Sequence, residues 1–450
     1  MAAGSGLNLR HLFHQVALAF GRQVFANLCQ LVSVVILGRT LGPEGFGQFS
    51  VAILLPYLLM ALLSLGIPSA NIYYIARNDV PFSTALRVNL RLSILLALVG
   101  VGVSAVLLLG FSDRLFPGVP RGLLWGAALL FPVHLLYWLL VSLLQGKQDY
   151  KAYNIALIVP AAAHLAGAGI LVWGLGLGVP AALVSWCIAQ AIGLAAAAWF
   201  IRRHSEPTPG PDGVAESYAR RCLSYGWKVL ASDLLQFLNY RADIFLVNLF
   251  INPASAGVYV IAVQIAERLL LLSHATTTVL FPRLSELHDD ELARRRLAPL
   301  VARWVNYSGL LIAVVLAVIA PPLVRLVFGS DFAGAASALL WLLPGVVILN
   351  CARVLSHDVA ARGRPDLNVW ANGITLVVNL IANVVLIPRY GIVGAALAST
   401  LAYTAGMAVT LVFYSRLSEN PWWRPLAFER GDWHLLSRLF ASRLKGGTAS

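Results

Sequence analysis

Long apolar runs fill this chain almost from end to end, separated by short polar or glycine- and proline-rich turns. They predict twelve helical spans at about 15–37, 46–76, 85–110, 121–145, 151–174, 179–201, 221–249, 256–281, 299–320, 334–361, 366–388 and 391–416. Each is long enough to cross a bilayer. The runs are continuous rather than alternating, and in lipid only helices or closed barrels satisfy the backbone, so helices are predicted. Gly66-Ile67-Pro68 interrupts the second span and predicts a kink there. The first run contains Arg22 and is too long for a cleavable signal, so it reads as a mature helix.

Turns repeat as well as spans. LGRTLGPEGFGQFSVA at 37–52 has a weaker copy in NLFINPASAGVYVIA at 248–262, with Gly47 over Gly257 and Phe49 over Tyr259. QGKQDY at 145–150 matches RGRPDL at 362–367, and PAALVS at 180–185 matches GAALAS at 394–399. The near-constant offset predicts two six-helix halves. Residues 1–203 form the N-terminal half and 221–416 the C-terminal half. A linker at 204–220 joins them, and a tail follows at 417–450. An even number of helices per half makes the repeat parallel, about an axis along the membrane normal. The proline of each Gly-Pro or Asn-Pro turn stops the preceding helix. Gly42 and Asn252 are expected to take the left-handed position that ends it.

Composition sharpens this into an all-α polytopic membrane protein. Of the 450 residues 59% are apolar and 12% charged, with mean hydropathy +0.77; soluble domains carry about 25% charged residues. The net charge of +13 first suggests a polyanion partner. Its distribution does not. With the N-terminus cytoplasmic, 23 of the 33 Lys and Arg fall on that side and five on the other. This positive-inside bias places both termini in the cytoplasm and removes the case for nucleic acid. The four cysteines form no CxxC, so neither a zinc site nor a disulfide scaffold is indicated. No metal or cofactor motif is found, and no phosphate-binding loop, hence no ATPase domain within the chain.

Charge inside the spans is where function is sought, because such groups are costly in lipid. Gln15, Arg22, Gln23, Asn27, Gln30 and Ser33 share one face of the first helix. Lys228, Asp233, Gln236, Asn239, Tyr240 and Asp243 share a face of the seventh, with Arg241 outside it. Gln264, Glu267, His274 and Thr278 cluster on the eighth, flanked by Arg268, and the tenth adds Arg353, His357 and Asp358. Stripes on helices of both halves suggest a water-filled central cavity between two six-helix bundles. Each of these residues also has a structural reading. Lys228 and Arg241 can snorkel from opposite ends of their helix, and Glu267 can neutralise Arg268. His134 and His164 read as packed polar residues, and HDDEL at 288–292 as a solvated loop.

LGRTLGPEGFGQFSVA, then LLSLGIPSANIYYIAR at 62–77 and RADIFLVNLFINPASAGVYVIAVQIAE at 241–267, resemble the bacterial oligosaccharide flippases. These are the polysaccharide transporters of the multidrug/oligosaccharidyl-lipid/polysaccharide superfamily. The resemblance spans about 15–416. It implies two rocking bundles around a cationic cavity in a bacterial cytoplasmic (inner) membrane. It further implies transfer of undecaprenyl-diphosphate-linked oligosaccharide from the cytoplasmic to the outer leaflet by alternating access. The family's first-helix cavity arginine maps to Arg22, and the aspartate of its second signature to Asp243. Lys228, Arg241, Arg268 and Arg353 rest on their placement alone, as further diphosphate or sugar ligands beside Gln23, Asn27 and Gln30. Arginine suits phosphate oxygens and amides suit sugar hydroxyls. Without an ATPase a gradient or mass action must set direction, and Asp233, Asp243 and Glu267 are the coupling candidates. Membrane lipids are implied partners, with a polysaccharide polymerase and export machinery as further ones. The alternatives are a cation-coupled multidrug antiporter of the same superfamily, a lipid II flippase, and a membrane enzyme or scaffold of glycan synthesis. Catalytic residues are not indicated. In the tail, Trp433, Leu436 and Phe440 recur at helical spacing beside Arg438, Arg443 and Lys445, the pattern of an interfacial amphipathic helix.

Overall fold

The computed structural model describes residues 9–204, 212–274, 276–277, 280, 291–427 and 429. The regular structure among them is helical throughout. Leu9–Leu63 is two helices broken at Gly42, whose φ of 68° is left-handed, as expected of the glycine before Pro43. The second helix stops again before Gly66 (φ 63°) and resumes as Ile67–Ala76, the expected kink. The third to seventh are Phe82–Leu115, Arg121–Gly146, Tyr150–Gly167 with a π-helical extension Ala168–Gly174, Gly178–His204 and Asp212–Phe250. The eighth begins as Pro253–Glu267. Glu291–Phe328 and Gly334–Ala361 are the ninth and tenth, and Pro365–Ser418 holds the last two, broken at Gly391 (φ 62°). This is the expected all-α membrane fold. Several helices extend well past the apolar runs that predicted them.

Two local expectations are corrected. Asn252 is not left-handed. Its Oδ1 accepts from the Ser255 N–H at 2.8 Å, so it opens the eighth helix rather than closing the seventh. A proline one residue past a turn is equally at home in the first turn of the next helix. The eighth span is also not continuous: its α-helical ladder stops at Glu267, and Arg268–Leu272 are joined by tighter i→i+3 bonds.

The chain divides into two compact units, Met1–Val260 with Val324–Gly334, and Ile261–Leu323 with Ala335–Ser450. In the first, the seventh helix is built into the packing of the first six. Tyr218 and Cys222 are buried with Ile75, Val88, Tyr137 and Leu144. The Tyr218 hydroxyl donates to Asn71 Oδ1 (2.7 Å), and the Asn71 amide donates to Asn89 Oδ1 and Ser142 Oγ (2.8 Å each). Gly66 and Gly226 let two backbones meet beside this network: a Cβ on Gly226 would lie 1.9 Å from the Leu65 carbonyl oxygen. In the second unit the core joins Ala298, Ala302 and Val305 of the ninth helix to Cys351 and Leu355 of the tenth and Met407 and Tyr414 of the twelfth.

Candidate functional site

Arg22 is half-buried on the first helix, with its guanidinium 5.6 Å from the centre of the Tyr153 ring. Its Nη2 donates to Gln23 Oε1 at 3.3 Å, and its buried Nε has no acceptor. No carboxylate among the described residues pairs with it. An aromatic face holds a cation without neutralising it, so this guanidinium keeps donors for an anion. Gln23 and Gln30 are exposed on the same helix and Asn27 is half-buried. Ser33, at the buried end of the stripe, is turned back onto the Cys29 carbonyl at 2.8 Å. Arg22 is the charge of the first-helix stripe; the side chain of Gln15, its first member, lies outside the described residues.

The seventh-helix stripe divides. Asp233 and Arg241 are half-buried, and Arg241 Nη1 donates to the Tyr240 carbonyl at 3.1 Å. The side chain of Lys228 lies outside the described residues. Asp243 is 3% exposed. Its Oδ2 accepts from the Tyr259 hydroxyl at 2.6 Å and its Oδ1 from the Ile244 N–H at 2.8 Å. This acid sits between the seventh and eighth helices, held by a phenol that the sequence stripe did not include.

In the second unit, Glu267 and Arg268 are half-buried where the eighth helix breaks, and Arg268 Nη2 donates to Gln264 Oε1 at 3.1 Å. Arg353 Nη1 and His274 Nε2 lie 2.6 Å apart. Asp358, grouped with Arg353 and His357 in the sequence, belongs elsewhere. It is 0% exposed and ion-paired to Arg294 (3.0 Å) and Arg362 (2.7 Å), with Glu291 on the far side of Arg362 at 2.8 Å. That is a packed ionic cluster, which reaches outward through Glu291 to Arg295 at 3.2 Å and through Arg362 to the Leu417 carbonyl at 3.1 Å. The two histidines of the fourth and fifth helices pack as expected. His134 sits among Tyr57, Trp138 and Trp186, and His164 lies 3.1 Å from Ser185 Oγ.

Arg39 is a residue that sequence reasoning passed over as one charge on the basic-poor side. It is exposed at the end of the first helix, and its Nε donates to the Val327 carbonyl at 2.8 Å, with Nη2 on the carbonyl of Leu326. It thus caps the end of the ninth helix. Asn248, one position from the repeat-equivalent of Arg39, reaches the Pro117 carbonyl at the end of the third helix at 3.4 Å. RLFPG at 114–118 and RLVFG at 325–329 are a further repeat pair, each closing with a left-handed glycine (Gly118 φ 74°, Gly329 φ 101°). The signal was in the sequence as a fourth match at nearly the same offset.

A family model for polysaccharide biosynthesis proteins matches residues 36–337, reaching from the end of the first helix into the tenth. The chain belongs to that family. The resemblance read from the sequence is borne out over two thirds of the chain. Among curated relatives, the probable low-salt glycan biosynthesis flippase Agl15 of Haloferax volcanii is 25% identical over 85% of this chain and 79% of its own length. A putative O-antigen transporter of Shigella flexneri is 22% identical over 87% of this chain and 94% of its own length. Among solved structures, the lipid II flippase MurJ in an inward closed conformation superposes with a TM-score of 0.74 at 13% identity, covering 90% of each chain. At that identity the likeness is one of fold.

Proposed function

We propose that this family member is a flippase that carries a polyprenyl-diphosphate-linked oligosaccharide from the cytoplasmic to the outer leaflet, by alternating access of its two halves. The observation that carries the reading is Arg22. A guanidinium within a membrane helix, held against an aromatic ring and paired with no carboxylate among the described residues, is suited to a diphosphate and unsuited to an organic cation. The exposed amides of Gln23 and Gln30 beside it suit sugar hydroxyls. The names of the relatives, a glycan flippase and an O-antigen transporter, support the same cargo class.

The test is complementation of a strain lacking the gene, read by mass spectrometry of lipid-linked oligosaccharide and by surface glycan. Arg22→Ala at normal abundance should abolish export and accumulate the lipid-linked precursor, while Arg22→Lys should retain part of it. Full export by Arg22→Ala would remove Arg22 as the diphosphate ligand. No accumulation of lipid-linked glycan in the deletion strain would remove the cargo.

A further inference from the structure

We infer that residues 420–427 form a hook seated in the membrane interface, and that its partner is the lipid of the leaflet nearest the chain's C-terminus, entered by Trp422 and Trp423. The twelfth helix ends at Ser418, and Glu419 reverses the chain in the left-handed conformation (φ 55°). Asn420 then ties down the start of the segment. Its amide donates to the Tyr414 hydroxyl at 2.8 Å and to the Arg295 carbonyl of the ninth helix at 3.0 Å. From there the chain runs along the ninth helix. Arg303 Nη1 donates to the Arg424 carbonyl and the Tyr307 hydroxyl to the Leu426 carbonyl, both at 2.7 Å. From Arg295 to Tyr307 is about 18 Å of helix at 1.5 Å per residue.

The ninth helix supplies its own depth gauge. No charged residue lies between Arg303 and Arg325, a distance of roughly 33 Å along the axis, close to the ~30 Å hydrocarbon thickness of a bilayer. Arg303 therefore marks the edge of the hydrocarbon, and Tyr307 lies about one turn inside it. The segment hydrogen-bonded to both is not helical, and irregular backbone at that depth must find its partners within the protein. This segment does. Beyond the two carbonyls taken by Arg303 and Tyr307, the Arg424 N–H donates to the Pro421 carbonyl (3.0 Å). The N–H groups of Leu426 and Ala427 share that of Trp423 (2.9 and 2.8 Å). The charges are paired as well: Arg303 and Arg424 both pair with Glu429, at 3.3 and 2.9 Å. Leu426 packs into the core of the unit.

What this rigid turn presents outward is a pair of tryptophans, 62% and 46% exposed. Two adjacent indoles left in water would forfeit most of their burial. At headgroup depth each finds apolar contact for its ring and a polar partner for its N–H. With Arg424 already neutralised by Glu429, the hook asks for no particular headgroup charge. The hook opens the tail, 420–447, that the sequence reads as an interfacial anchor; the residues that carry its helical pattern, Trp433, Leu436 and Phe440, lie outside the described residues.

The experiment uses full-length protein in lipid nanodiscs. Trp422→Cys, in a background lacking the four native cysteines, is labelled with an environment-sensitive fluorophore. It is then challenged with aqueous iodide and with lipids bearing a quencher near the headgroup or near the bilayer centre. Strongest quenching by the headgroup-level lipid is expected; strongest quenching by iodide would overturn the hook. Hydrogen exchange on protein with its native cysteines gives an independent arm. Residues 421–427 should be protected, and Arg303→Met should speed their exchange about tenfold or more, as expected for losing a hydrogen bond from a charged donor. Rapid exchange of 421–427 in the parent protein would show that the segment is not held and overturn the inference.

Discussion

Gly47 and Gly257 hold the same place in the two sequence repeats, and in the structure they touch each other. A Cβ on Gly257 would lie 2.8 Å from the Gly47 nitrogen and 2.2 Å from the Pro43 carbonyl oxygen. A Cβ on Gly47 would lie 1.7 Å from the Pro253 carbonyl oxygen and 3.0 Å from the Gly257 nitrogen. The contact is reciprocal, as at a local two-fold: each glycine faces the proline that opens the other's helix. The repeated turn therefore does more than close a hairpin. Its proline starts a helix, and its glycine, four residues on, lets that helix cross its repeat-mate at backbone distance.

This crossing predicts a sharp difference among glycines. Gly47→Ala and Gly257→Ala must separate two backbones, because the obstructing atoms are main-chain oxygen and nitrogen. Overpacking costs about 1–3 kcal/mol even where side chains can yield, so a loss at the upper end or beyond is expected. Gly102, also within a helix, has nothing within 4 Å of its Cβ position, and Gly102→Ala should leave stability unchanged or slightly raised. Thermal melts of detergent-purified variants by size-exclusion fluorescence measure this, and equal melting of Gly47→Ala and Gly102→Ala would contradict it.

Asp243 and Tyr259 should behave as one unit in transport. A bond between a carboxylate and a phenol is worth about 1.5–3 kcal/mol, and at 2.6 Å this one is short. Asp243→Asn is expected to slow transport in proteoliposomes while leaving cargo binding measurable. Tyr259→Phe, which keeps the shape and removes the donor, should be slower than the parent but milder. The double variant should be no slower than Asp243→Asn alone. Additive losses would show that the two residues act separately, and parental rates for Asp243→Asn across a range of pH would remove it as a coupling group.

The places where sequence reading succeeded and failed follow from the range of the interactions. The Gly42-Pro43 turn and the Gly66 break are written in two or three adjacent residues, so local chemistry gave them. Asn252 has the same local chemistry on both sides, and only the structure shows which helix it serves. Arg22 was legible because a lone cation in an apolar helix is conspicuous without any knowledge of its neighbours. The partners of Arg39 and Tyr218, and Arg294 beside Asp358, were not legible, since each lies tens to hundreds of residues away; only Arg362, four residues on from Asp358, was within local reach. Proximity in sequence groups Asp358 with Arg353 and His357 but cannot show that Arg294 fills the space next to it.

Loop polarity adds a pH-dependent element. Asp149 opens the fifth helix, its Oδ1 accepting from the Ala152 N–H at 2.9 Å and its Oδ2 lying 2.7 Å from His204 Nε2. Burial alone would raise its carboxyl, but the Ala152 N–H and the His204 ring outweigh that and hold it below the ordinary carboxylate range. A depressed folded value means that the contribution is complete above about pH 4 and is lost as pH falls through the lower folded value. Asp149→Asn keeps a capping oxygen and removes the charge facing His204, so it should cost up to about 1 kcal/mol at neutral pH, the scale of a partly exposed pair. The gap between parent and variant should close on acidification below pH ~4. A gap that widens in acid would reverse the sign of the argument.

The Arg294–Asp358–Arg362 cluster separates stability from transport on a single helix. Arg294 is 4% exposed and Asp358 0%, so removing the carboxylate strands buried positive charge. Breaking a buried pair on one side typically costs about 3–5 kcal/mol, and Asp358→Ala should lower abundance and melting temperature accordingly. Replacing both partners with apolar groups, Arg294→Met with Asp358→Leu, removes the stranded charge, while Arg362 retains Glu291 at 2.8 Å. The double variant should melt above Asp358→Ala. Five residues before Asp358 on the same helix, Arg353 pairs with His274 at a more open position, where such contacts are worth about 0–1 kcal/mol. Arg353→Ala should melt close to the parent, and a fall in glycan export at that normal stability would mark it as a cargo ligand. A melting temperature for Arg353→Ala as low as that of Asp358→Ala would place both arginine contacts in the scaffold and leave the tenth helix without a transport residue.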